Sequence, residues 1–94
     1  MFVLVHHIVQ DPATFWSTAS AAMPNIPSTM TLHHSLAAKD GTRATCLWEA
    51  DSVDAVRAFL EPALGASSAN EYREAENRDG IAVPARFGQA AVAM

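Results

Sequence analysis

The chain holds a single cysteine in 94 residues, so no disulfide can close within it and nothing in it calls for an oxidising compartment. It also lacks any run of Lys or Arg and any row of aromatic residues, and its formal net charge is −4. Phosphate binding needs clustered cations, which excludes nucleic acid as the main partner. Long apolar runs are missing too. Met1-Phe2-Val3-Leu4-Val5 has no basic start and is broken by His6-His7, too short for a secretory segment or a membrane span. The expectation is a soluble, cytoplasmic protein with no membrane contact. No serine sits in a nucleophile elbow, and no glycine-rich loop offers a phosphate cradle.

What is present is hydrophobic material, 50% of the residues, in one domain's length of chain. Residues 2–9 are apolar in both parities, with Phe2, Leu4 and Ile8 on one side and Val3, Val5 and Val9 on the other. Such a strand is central, with both faces covered. Asp11-Pro12 supplies an N-cap and a first-turn proline for a helix bearing Phe15, Trp16, Ala19 and Met23, which Pro24 must stop. Residues 29–38 and 42–50 read as a hairpin around a three-residue loop, Lys39-Asp40-Gly41, with the glycine left-handed. That loop pairs Ala38 with Thr42, and therefore His34 with Cys46. Asp51-Ser52 caps a second helix carrying Val53, Val56, Phe59 and Leu60, which Pro62 ends or kinks. A polar edge strand over 70–76 follows, then a turn at 77–80 and a short strand over 81–83.

This order is β-α-β-β-α-β, the ferredoxin-like plait, an α+β fold. We assign the domain to residues 1–80 and read residues 81–94 as a C-terminal extension, partly mobile. The helices cover one sheet face. The first strand requires the other to be covered as well, which predicts a homodimer with sheets face to face.

All four histidines and the cysteine lie on predicted strands. His34 opposite Cys46, joined by one of His6 and His7, would give an imidazole–thiolate set suited to a divalent transition metal. The competing reading makes Cys46 a small core residue and His34 a core histidine bonded to a carbonyl. His33 with Glu49 is a second pair, in which a carboxylate orients an imidazole on the face a partner would cover; an ordinary hydrogen bond is the simpler alternative. Trp48 and Tyr72 are candidates to line a pocket, although each is more often packing. The acidic run Glu71, Glu74 and Glu76 reads as a solvated edge.

The stretch Cys46-Leu47-Trp48-Glu49-Ala50, followed by Asp51-Ser52-Val53-Asp54-Ala55-Val56-Arg57, resembles the central strand and second helix of a small bacterial ferredoxin-like family that includes a nickel-binding protein. Val5-His6 and His34, twelve positions before the cysteine, are similar too, and the resemblance spans roughly residues 2–76. More broadly, the chain resembles the dimeric α+β barrel superfamily. The resemblance implies a dimer, with His6, His34 and Cys46 as ligands of nickel or a similar metal. Phe59-Leu60-Glu61-Pro62 stands where that family would carry a histidine. Three functions follow as expectations. One is a His/Cys-lined metal site. Another is a cofactor-free isomerase or monooxygenase with a small-molecule pocket and a histidine proton shuttle. The third is a non-catalytic, stress-related binding protein.

Overall fold

In the computed structural model, residues 1–78 are described. Strand β1 (Phe2–Val9) leads into helix α1 (Pro12–Ala22) and a 3-10 turn at Met23–Asn25. Strands β2 (Thr31–Ala37) and β3 (Arg43–Glu49) form the hairpin, followed by helix α2 (Val53–Leu64) and strand β4 (Ser68–Ala75). Every neighbouring pair is antiparallel, in the order β2-β3-β1-β4. The fold is the ferredoxin-like plait, with β1 central as its two apolar parities require. The expected strand at 81–83 and the extension over 81–94 lie outside the described residues.

Local chemistry sets the boundaries. The Asp11 carboxylate accepts from the Thr14 backbone N–H at 3.2 Å, and Ser52 Oγ accepts from the Ala55 N–H at 3.0 Å, so both helices carry the caps their sequences announce. Helix α1 ends in the 3-10 turn where Pro24 removes a donor. Pro62 does not end α2. The helix runs on to Leu64, and the Gly65 N–H closes it onto the Glu61 carbonyl at 2.9 Å.

Val3, Val5 and Val9 of β1 pack with Phe15, Trp48, Val56, Leu60 and Leu64 beneath the helices. Each such fully buried side chain contributes about 1.5–3 kcal/mol of transfer free energy. The opposite parity of β1 points away from the helices. Leu4, Ile8 and Leu36 are exposed there, Leu36 to 74%.

The hairpin departs from the expected register in a specific way. Ala38 donates its N–H to the Arg43 carbonyl at 2.8 Å, so the loop takes in Thr42 as a fourth residue. Asp40 draws it in, its carboxylate accepting from the Thr42 N–H at 3.0 Å and the Thr42 hydroxyl at 2.6 Å. Gly41 is left-handed, φ 78°, as the loop chemistry predicts. The added residue puts Ser35, not His34, opposite Cys46 and sets His34 opposite Leu47. A bulge at His33 then absorbs the offset, and Leu32↔Trp48 and Thr31↔Glu49 pair as the sequence implied.

Candidate functional site

The bulge separates the proposed metal ligands. His34 lies on the open face among Phe2, Leu4, Leu36 and Leu47, whereas Cys46 faces the helices. His6 also belongs to the open face, its Nδ1 3.1 Å from Thr45 Oγ1. Two strand spacings, roughly 10 Å, separate His6 on β1 from His34 on β2. Burial pushes the Cys46 thiol pKa up, only partly offset by its 3.5 Å contact with Ser35 Oγ, so the thiolate a soft metal wants is disfavoured. Among the described residues, no group of three or more His, Cys, Asp or Glu is arranged to hold a metal ion. His6, His34 and Cys46 therefore do not form one site in this chain.

The second expected pair does meet. His33 Nε2 lies 2.9 Å from Glu49 Oε1, and the His33 ring packs 5.8 Å from that of Phe2. Because the bulge places two successive residues on one side, His33 and His34 share the open face, contrary to simple alternation.

The histidine on the helix side is His7. It continues the odd series of β1, otherwise all valine, and is 1% exposed. It borders a narrow cleft between sheet and helices, about 50 Å³ in volume, together with Phe15, Trp16, Met23, Cys46, Trp48 and Phe59. The edge of its ring meets Phe15, with centroids 5.2 Å apart. Its Nδ1 lies 2.6 Å from Asn70 Oδ1 on β4, the residue directly opposite in the ladder. Asn70 Nδ2 donates to Glu61 Oε2 at 2.8 Å, and the Tyr72 hydroxyl donates to the same oxygen at 2.5 Å. Arg57 sits 5.0 Å above the Tyr72 ring. A polar chain thus runs from an exposed carboxylate on α2 to a buried imidazole at the centre of the sheet.

The electrostatics follow the contacts. Desolvation lowers the His7 pKa below its ordinary 6.5, with the Asn70 bond partly opposing it, so the ring is neutral at pH 7. Bonds from Tyr72 and then Asn70 hold the Glu61 carboxyl below its usual range. Burial first, then the bond to Glu61, pushes the Tyr72 phenol well above its ordinary value, so it stays a donor. Trp48 adds a second polar requirement to the cleft. Its indole N–H is buried with no hydrogen-bond partner among the described residues. Such an orphan costs about 1–3 kcal/mol unless something else satisfies it.

Of the residues singled out from the sequence, His7, Cys46 and Trp48 border the cleft, and Tyr72 stands just outside it in the hydrogen-bonded chain. His33, His34, His6 and Glu49 belong to the open face. Asn70 and Glu61 were not anticipated. The signal for Asn70 is its parity with Tyr72, which puts both on the helix side of β4, and Glu61 lies one residue past the buried Leu60 on the helix beside it.

Fold and site together define a ferredoxin-like α+β domain with a histidine-bearing cleft under its helices. No family model, no curated protein and no solved structure matches the chain.

Proposed function

We propose that the protein binds a small, largely apolar molecule in the cleft between sheet and helices, and that His7 is the group that accepts its proton or hydrogen bond. The observation carrying this reading is a buried, neutral imidazole held through Nδ1, bordering an apolar cleft. A buried histidine with one nitrogen engaged presents the other as a base, the arrangement general base chemistry needs. The cleft's 50 Å³ is far below the roughly 300 Å³ of most ligand pockets, so a ligand larger than a few heavy atoms must displace the rim. Met23, half-exposed and unbranched, is the residue suited to yield. This geometry favours the small-molecule reading over the metal reading.

Titration of the protein with phenol, followed by NMR at the His7 ring and the Trp48 indole N–H, tests it. Both signals are expected to shift in a saturable way. Absence of shifts, or shifts confined to Leu4, Leu36 and Leu47, would remove the site.

The open sheet face supports a partner reading. Phe2, Leu4, Leu36 and Leu47 surround a half-open concavity of about 500 Å³. Contiguous exposed apolar surface of this kind marks association sites, and we assign it to a second copy of the chain. Sedimentation at micromolar concentration is expected to give twice the 10.0 kDa chain mass, and a monomer would overturn the assignment.

A further inference from the structure

The chain Glu61–Asn70–His7 carries directional information that the distances alone do not. A carboxylate only accepts, so the Asn70 atom 2.8 Å from Glu61 Oε2 must be its NH₂ group. That fixes the amide's other end, and the oxygen 2.6 Å from His7 Nδ1 must be an acceptor. The proton of the His7 ring therefore resides on Nδ1. Ser68 Oγ lies 2.7 Å from the same oxygen, but its single proton also has the Leu64 carbonyl at 3.1 Å as an acceptor, so the orientation rests on Glu61. A free imidazole side chain favours the opposite tautomer, so the preference here is imposed by the protein. The consequence concerns the cleft that His7 borders: the lone pair is left on Nε2, and among the described residues no Lys or Arg lines the cleft to balance an anion.

We propose that Glu61 is a positioning residue that, acting through Asn70, locks His7 in the Nδ1–H tautomer and so selects ligands that offer a neutral O–H or N–H to Nε2. The lock itself is a property of the folded chain. The ligand class rests on the small-molecule reading given above. Carboxylates are disfavoured because they offer Nε2 no proton at neutral pH, and carboxylates and phosphates alike find no counter-charge among the described residues that line the cleft. Phenols, enols and alcohols on an apolar body fit.

Glu61 is exposed, so replacing it leaves the core intact and the test interpretable. Nitrogen-15 NMR of the full chain reads the two ring nitrogens of His7 directly. In the wild type, Nδ1 is expected at the protonated position and Nε2 at the unprotonated one. Glu61→Ala frees the Asn70 amide to turn over and is expected to shift the tautomer ratio toward Nε2–H by about tenfold, the effect of losing one charge-assisted bond. Glu61→Gln retains an acceptor oxygen and should restore most of the wild-type ratio. A merely structural role for Glu61 would leave the ratio unchanged in all three proteins, and that result overturns the lock, as does an Nε2–H tautomer in the wild type.

The ligand class is read separately with two probes of similar shape. Phenol should bind about tenfold more tightly than anisole, which has no donor, and the gap should narrow in Glu61→Ala. Equal affinity for the two rings overturns the ligand class. If neither ring binds while the tautomers behave as stated, the small-molecule reading fails and the lock stands.

Discussion

His7 and His6 are neighbours in sequence and opposites in environment. His6 reaches Thr45 on the open face, while His7 is enclosed between β4 and Phe15. The difference has a thermodynamic signature. Burial lowers the His7 pKa below 6.5, so as pH falls through that value the unfolded chain takes up the proton before the folded one does. The stability due to the neutral ring is complete above pH 6.5 and is lost progressively as pH drops through the lowered folded value. Glu61 acts in the same direction, but only below its ordinary 4.5. Thermal unfolding between pH 7.5 and 5.5 therefore covers the window in which His7 contributes and Glu61 does not. His7→Gln, which is uncharged and keeps a donor for Asn70, is expected to flatten the pH dependence of Tm over that window, and an unchanged slope would contradict it. Alternation along β1 put His6 and His7 on opposite faces without saying which one meets the helices, and the family resemblance pointed to His6 beside Cys46 where the structure has His7. What alternation could not supply is the identity of its partner, because Asn70 arrives from a strand more than sixty residues away.

The hairpin shows where patterning stops at the scale of an element. Loop position and the left-handed glycine were readable from Lys39-Asp40-Gly41, whereas the strands expected over 29–38 and 42–50 span Thr31–Ala37 and Arg43–Glu49. The register was not, because it turns on Asp40 binding Thr42, a contest between four- and three-residue loops that hydrophobic pattern does not arbitrate. His33 restores the register by standing outside the ladder, which is how a pair of adjacent histidines came to share one face. Gly41 is the element's most sensitive position. Its φ of 78° disfavours any Cβ, and one placed there would lie 3.3 Å from Trp16 Nε1, whose N–H donates to the Gly41 carbonyl at 3.2 Å. Gly41→Ala is expected to cost about 1–2 kcal/mol, read as a lower urea midpoint with unchanged m-value. Gly41→Asn should lose less, since Asn tolerates this conformation better. An alanine variant as stable as wild type would show that the loop can relax to another turn.

For the whole molecule, fold class was the most legible property, because caps, prolines and a two-sided first strand all specify one element order. The candidate site was less so: its cleft draws on three strands and two helices, and its decisive hydrogen bonds join β1, β4 and α2. The sheet face left open among the described residues gives the prediction proper to this scale. Leu36 is so exposed in the single chain that Leu36→Glu should leave the chain's stability unchanged while placing charge in the proposed dimer interface. The expected result is a monomer in sedimentation with an unaltered circular dichroism spectrum, and a persistent dimer would relocate the interface. The strand order β2-β3-β1-β4 also bears on the chain's birth. The strand made first is the one that needs neighbours on both edges, and those neighbours are made in the second half of the described chain and last. At about 5–20 residues per second of synthesis, an apolar, proline-free segment with two open edges waits for seconds before its ladders can form. Recovery of the native protein should therefore fall with chain concentration during refolding, even where the finished fold is stable.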